Sequence, residues 1–552
     1  MRIVQNSIIW MLLLLPTIKV MATDGPPKQP KPKLIIGITI DQMRFDYLDR
    51  FWGDFGKDGF KRLIGDGFQC TQMRYNYMPT YTGPGHASIF TGTTPCYHGI
   101  IQNDWFDRYT GQVVYCASDS SMKGVGTLSK AGQMSPQYLT ASTLGDMLQF
   151  QYGDASKVIG VALKDRGAIL PAGRTADAAY WFVGMDEGKW CTSTWYGDVL
   201  PAWVNDFNAS GAASQFMEQT WNLARSESDY SESMEDNNPH ETPFKGTLRP
   251  VFPYVLRDLA HENGNYELLK ATPFGNDLTV AFAEAAIRGE QLGADEVPDM
   301  LCLSFSSTDY VGHQFGIHSR EIQDCYIRLD SLMGQFLKFL DDEIGKGEYV
   351  LFISADHGGA PTPSYTMKNQ ASAGYWKSDA LEAYVEDSLA KKYGAGNWVL
   401  NESNQNIFLN RALITSRQLS LKELQYEVSE MTLHFPEVLM SFTSSDLSQF
   451  RGGNETKEMI QNGFSQRMSG DVIYVLKPGY LEYGMTGTTH GSPFNYDRHV
   501  PAIFYGAGVQ RGSYVRPCDI TDIAATMSAM FRIPMPDACT GHPIIPVFHK
   551  RK

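Results

Sequence analysis

Five stretches of this chain share one pattern: a near-continuous apolar run of strand length that stops at a cluster of polar residues. Leu34–Ile40 stops at Asp41, and Val158–Leu163 at Lys164. Met300–Phe305 leads to Asp309, Tyr349–Ser354 to Asp356 and His357, and Val500–Tyr505 to Gly506 and Gly508. Runs that are apolar at every position, rather than at alternate ones, predict strands buried on both faces, as in a mainly parallel sheet. Between them, Ala141–Gln151 and Ile322–Ile344 show helical spacing. Strand and helix in alternation predict an α/β fold, with a large, mainly parallel central sheet and helices on both faces. In such sheets ligands bind beyond the carboxyl ends of the strands, which is where these Asp, His and Lys residues fall.

Two stretches break the alternation. Residues about 185–265 are rich in Trp, Asp, Glu and Asn and include an acidic stretch from Glu227 to Glu241. Residues about 360–480 hold long polar connections and a helical pattern at Ser420–Met431. Both are read as insertions that cap the sheet, so residues 23–552 are expected to form one domain. Residues 1–22 read as a signal peptide: Arg2, the short apolar run Ser7–Leu15, and Val20-Met21-Ala22 before a cut after Ala22. The chain is therefore expected to be exported, with no membrane segment in its mature form.

Charge and cysteine content narrow the function. The net charge is -14 over 552 residues, with no run of Lys and Arg. A nucleic-acid surface, which needs clustered cations, is not expected. An acidic protein with an anionic substrate must concentrate positive charge locally, and metal ions in a cleft do this. The eight cysteines contain no C-x-x-C, which argues against a cysteine metal site. Their pairing is left open, with Cys302 expected as a buried free thiol.

The polar clusters supply a different ligand set. Asp309 and His313 are four apart and can share one face of a helical turn. Asp356 and His357 precede two glycines that let the chain turn so that both converge. His490 lies in a Gly- and Pro-bounded loop, and Asp41 directly follows the first strand. Each has a plainer reading alone: a surface pair, a loop acid with a capping His, a loop His, a helix cap. Together they are three carboxylates and three imidazoles at one sheet edge, enough for two three-ligand sites suited to zinc or, second, manganese. Paired metals about 4 Å apart can clamp the entering and leaving oxygens of an in-line displacement.

A nucleophile belongs beside them. Thr82 opens Thr82-Gly-Pro-Gly-His86, where glycines allow close backbone approach and a helix start favours an anion. A capping role for Thr82 remains equally open on its own, and His86 is read as structural. In Lys164-Asp165-Arg166 the two cations, two apart in an extended segment, would face the same way and grip a phosphoryl group. Asn103 could donate an amide hydrogen to a further oxygen.

With these residues in place, the chain resembles the alkaline phosphatase superfamily, and more narrowly the bacterial periplasmic PafA-type phosphatases. The resemblance rests on Asp41, Thr82-Gly-Pro-Gly-His, Asn103, Lys164-Asp-Arg166, Asp309-x-x-x-His313, Asp356-His357-Gly and His490-Gly-Ser-Pro. It implies two zinc ions per chain, one on Asp309, His313 and His490, the other on Asp41, Asp356, His357 and the Thr82 oxygen. It further implies a phosphothreonine intermediate, substrate contacts from Asn103, Lys164 and Arg166, and small-molecule phosphate monoesters as substrates. The alternative is a diesterase of the nucleotide pyrophosphatase/phosphodiesterase type with the same two-zinc core. A metal-bound, non-catalytic anion-binding protein is the reading of a different class. Sulfatases of the superfamily need Cys or Ser where Thr82 stands, so that branch is not expected.

Overall fold

The structure, a computed structural model, describes residues 31–449 and 453–549. The expected signal peptide and the leader up to residue 30 lie outside the described residues. The strands that build the two sheets are, in chain order, β1 (Leu34–Ile40), β2 (Phe68–Cys70), β3 (Gly124–Val125), β4 (Val158–Ala162), β5 (Ala178–Val183), β6 (Lys189–Ser193), β7 (Asp299–Phe305) and β8 (Tyr349–Ser354). They continue with β9 (Val399–Ser403), β10 (Asn406–Leu409), β11 (Val438–Thr443), β12 (Val472–Leu476), β13 (Ala502–Gly506) and β14 (Gly512–Tyr514).

Ten of these form the central sheet, in the order β14-β2-β13-β8-β1-β7-β4-β5-β6-β3. The five middle strands, β8, β1, β7, β4 and β5, run parallel. β13 and β6, which flank them, are antiparallel to their neighbours. Every residue of β1, β7 and β8 is buried, as runs without polar alternation require. The fold is thus the α/β sheet that the apolar runs predict, with antiparallel strands at its margins.

The register explains why the polar clusters meet. Thr39 pairs with Ser304 on one side and Ser354 on the other, and Ser304 pairs with Ala162. Asp41, Lys164 and Asp356 each come two residues after a member of that aligned row. Three distant segments therefore emerge at one level of one edge.

The helices that frame the site are α1 (Thr82–Thr91), α2 (Asp165–Ala172), α3 (Phe274–Glu290), α4 (Ser307–Phe315), α5 (Arg320–Leu340), α6 (Ser378–Tyr393) and α7 (Leu421–Thr432). α1 and α2 pack close to the sheet because it lacks side chains beneath them. A Cβ on Gly37 would lie 2.5 Å from the Phe90 ring, and one on Gly160 would lie 2.2 Å from the Ala168 carbonyl. Cys302, between these glycines in register, is a fully buried free thiol.

Residues 185–265 supply helices at Ala202–Ala209 and Ala212–Met217 and a ribbon pairing Thr220–Trp221 with Tyr254–Val255. Within residues 360–480, β9, β10, β12 and β11 form a four-stranded antiparallel sheet. With α6 and α7 it closes an apolar cluster of its own around Trp376, Leu381, Val385, Trp398 and Tyr474. The β9–β10 hairpin turns at Asn404 and Gln405, both at positive φ (50° and 61°), the left-handed pair that a two-residue hairpin turn requires.

Candidate active site

Two groups of ligand-type side chains stand at the carboxyl edge. Asp309, His313 and His490 form one; Asp41, Asp356 and His357 form the other. Within each, the ligand atoms lie within 4.8 Å of one another. In the first group, His313 Nε2 is 3.1 Å from Asp309 Oδ1, both residues lying on one face of α4, and His490 Nε2 is 3.8 Å from the same oxygen. In the second, His357 Nε2 is 3.4 Å from Asp41 Oδ1 and 3.5 Å from Asp356 Oδ2. The two groups adjoin, for the rings of His357 and His490 stack with centroids 3.4 Å apart.

The backbone sets the ring orientations. His313 Nδ1 lies 2.7 Å from the Thr488 carbonyl, His490 Nδ1 2.7 Å from that of Thr80, and His357 Nδ1 2.9 Å from that of Gly358. A carbonyl only accepts, so each Nδ1 carries the proton and each Nε2 turns a lone pair inward. Burial, and then the facing His357 and His313, hold His490 well below the ordinary imidazole value, which keeps it neutral. Burial, reinforced by the Asp309 and Asp356 carboxylates, pushes Asp41 well above the carboxylate range. Asp309, in spite of burial, is held well below it by His313 and Lys164.

This donor set fits a pair of divalent cations. Asp41 Oδ1 and Asp356 Oδ2 are buried and accept no hydrogen bond, which is costly for a carboxylate unless a cation faces it. The imidazoles present unprotonated nitrogens, and all six ligands converge.

Thr82 is the first residue of α1, with Tyr81 as its N-cap. Its hydroxyl oxygen lies 3.3 Å from His357 Nε2. Glycine makes this approach possible: a Cβ on Gly85 would lie 2.3 Å from the Asp356 carbonyl oxygen. Asn103 Oδ1 accepts the Gly83 N–H at 2.7 Å, which leaves its Nδ2 as the group available to a ligand. Lys164 Nζ sits at the seam between the two groups, 2.6 Å from Asp41 Oδ2 and 2.5 Å from Asp309 Oδ2.

Arg166 reaches the neighbourhood by another route than the extended segment expected. Lys164 is extended, but α2 begins at Asp165, so Arg166 stands in the first helical turn. Its Nη1 donates to the Tyr115 hydroxyl at 3.2 Å, and its Nε has no partner. Asp165 takes the Tyr115 hydroxyl and the Arg166 N–H.

Three residues with no local signal complete the arrangement. Gln42, at φ 61°, ties the two groups together: its side chain donates to Asp309 Oδ1 at 2.7 Å and its N–H to Asp356 Oδ1 at 3.1 Å. Gly312 makes room for it, since a Cβ there would lie 2.0 Å from Gln42 Oε1. His86 is fully buried, with Nδ1 2.9 Å from the Thr82 carbonyl and 3.2 Å from Asp356 Oδ2, and Nε2 2.8 Å from Ser304 Oγ. Outside the two groups opens a cavity of about 470 Å³ lined by Tyr81, Asn103, His313, His490, the β9–β10 turn and the Lys477–Glu482 segment. Among the described residues, no helix is long and apolar enough to cross a membrane.

Known proteins share this arrangement over nearly the whole chain. Residues 35–495 match the family described as type I phosphodiesterase / nucleotide pyrophosphatase. A protein of Myroides odoratus named calcium-transporting ATPase is 41% identical over 94% of this chain and 95% of its own length. Alkaline phosphatase PafA of Elizabethkingia meningoseptica is 38% identical over 98% of both chains. A crystal structure of wild-type PafA superposes with a TM-score of 0.91, covering 94% of this chain and 99% of that one. The chain belongs to the type I phosphodiesterase / nucleotide pyrophosphatase family of the alkaline phosphatase superfamily, as a relative of the alkaline phosphatase PafA.

Proposed function

We propose that this chain is an exported, zinc-dependent alkaline phosphatase that hydrolyses phosphate monoesters through a phosphothreonine intermediate. The observation that carries the reading is the meeting of two acid–imidazole groups around the Thr82 hydroxyl, with the Lys164 ammonium at their seam. Export rests on the signal-peptide pattern of residues 1–22. Asp309, His313 and His490 would hold one zinc, and Asp41, Asp356, His357 and the Thr82 oxygen the other. Bound there, zinc would polarise the phosphoryl oxygens and lower the pKa of an oxygen nucleophile beside it.

The chain's own groups do the rest. Thr82 Oγ forms a bond to phosphorus as the bond to the alcohol oxygen breaks, and the alcohol leaves. Water then cleaves the phosphothreonine, releasing phosphate and restoring the hydroxyl. Gly85 and His86 fix the first turn of α1 against Asp356, so the hydroxyl is positioned before substrate arrives. Asn103 Nδ2, Lys164 and Arg166 are donors for the three non-bridging oxygens of a monoester. A monoester brings one more negative charge than a diester, so two cations favour its transition state. The family description supports a second reading, a diesterase on the same core.

Matched aryl mono- and diesters separate the two. The monoester is expected to be the better substrate of the wild type. Thr82→Ala should lower its kcat by about 10³-fold or more. Lys164→Ala with Arg166→Ala should lower monoester kcat/KM by about 10³-fold and diester kcat/KM by less than about 10-fold. Faster turnover of the diester by the wild type would replace this reading with the second.

A further inference from the structure

One buried carboxylate away from the two groups has no hydrogen bond at either oxygen. Glu241 is 2% exposed, and both Oε1 and Oε2 lack a partner. It shares its surroundings with Glu321, which is fully buried in the first turn of α5. Glu321 Oε1 accepts the Tyr254 hydroxyl, and its Oε2 has no partner. Asp236 adds a third negative charge nearby, with Oδ1 on the Phe252 N–H at 3.3 Å. The neighbouring cation, Arg320, is engaged elsewhere: Nη1 donates to Glu227 at 2.8 Å and Nε to the Met234 carbonyl at 3.2 Å.

Two carboxylates out of water need a positive partner or a proton. A proton shared between them would appear as a hydrogen bond from one to the other, and none joins Glu241 Oε1, Glu241 Oε2 or Glu321 Oε2 to anything. A cation faces several such oxygens at once without asking any to donate. We infer that Glu241 and Glu321 hold a hard divalent cation, calcium by their oxygen-only chemistry, as a structural site separate from the two acid–imidazole groups. Burial and the Glu321 charge push Glu241 up to about 11, and burial pushes Glu321 up to about 8, so both ionise near neutrality only with a cation beside them.

The place of the pair gives the cation a role. The strap carrying Glu241 crosses the connection between α4 and α5: the Met234 N–H bonds the His318 carbonyl and the Thr242 N–H that of Gln314, each at 2.9 Å. The strap also receives the Gly487 N–H on the His240 carbonyl. Gln314 follows His313, and Gly487 comes three residues before His490. A cation bridging strap and helix would thus brace the backbone that carries two imidazoles of the first group.

The test adds calcium chloride alone to zinc-loaded full-length enzyme in calcium-free buffer. Metal analysis should find about one calcium per chain, with zinc unchanged, and the unfolding midpoint should rise by about 5 °C at saturating calcium. Glu241→Gln and Glu321→Gln should each abolish both the calcium and the shift while still binding zinc. Wild-type enzyme that takes up no calcium and shows no shift overturns the site, whether or not the variants fold, and leaves the carboxylates with a proton. Calcium uptake that persists in the double variant also overturns it, because the ion is then elsewhere. Neither readout depends on phosphatase activity, so this inference fails or stands apart from the proposed function.

Discussion

Gly85 stands where α1 crosses the loop after β8, and a Cβ there would meet not only the Asp356 carbonyl but also Asp356 Cβ, at 2.6 Å. Neither is the end of a flexible side chain, so backbone must move. Gly85→Ala is expected to cost about 1–3 kcal/mol in urea unfolding and to lower kcat/KM by at least about 10-fold, with loss of bound metal on analysis. A variant as stable, active and metal-loaded as the wild type would show that the loop yields freely. At this scale the chain was legible where chemistry and punctuation coincide. Asp41, Asp356 and Lys164 follow apolar runs, and Thr82 opens a Gly-Pro-Gly turn. Gln42 and His86 carried no such mark, since their partners Asp309, Asp356 and Ser304 are supplied by distant segments. Arg166 was placed in an extended segment because Pro171, five residues on, argues against a helix there. α2 accommodates that proline inside its last turn.

Among the elements, the long buried strands were readable and the marginal ones were not. β1, β7 and β8 are apolar throughout because helices or neighbours cover both faces. β2 and β3, with three and two residues, are too short to show a period. β13 reads like its parallel neighbours yet runs antiparallel to β8, as strand direction leaves no trace in an apolar run. The inserted sheet of β9–β12 was seen only as long polar connections. One of its residues reports on pH. Glu402 on β9 accepts the Tyr474 hydroxyl at 2.7 Å, and burial pushes it up to about 7 from an ordinary 4.5. An acid that binds its proton more tightly folded than unfolded favours the folded state below about pH 4.5 and loses that advantage as pH rises to about 7. Stability should therefore fall across this window by an amount of order 1–2 kcal/mol that Glu402→Gln removes. Urea unfolding at pH 5 and pH 7.5 checks this, and equal pH dependence in wild type and variant would refute it.

The molecule as a whole depends on what its carboxyl edge binds. A ligand that binds only the folded chain stabilises it by mass action. Chelation by a transition-metal chelator is expected to abolish monoester hydrolysis and lower the unfolding midpoint by several degrees, about 2–4 °C per kcal/mol lost, with both restored by added zinc. Activity surviving complete removal of metal, verified by elemental analysis, would contradict the proposal. The aligned row of Thr39, Ala162, Ser304 and Ser354 has one more consequence. The side chains beyond it come from positions 41 to 490, so no fragment emerging from a ribosome or threading a membrane pore contains a complete set. The edge can capture its ions only after the last of these segments has docked, which makes metallation the closing event of biogenesis. The choice of metal then passes to the compartment where the chain finishes folding, and the cytoplasmic pool through which it travelled has no vote.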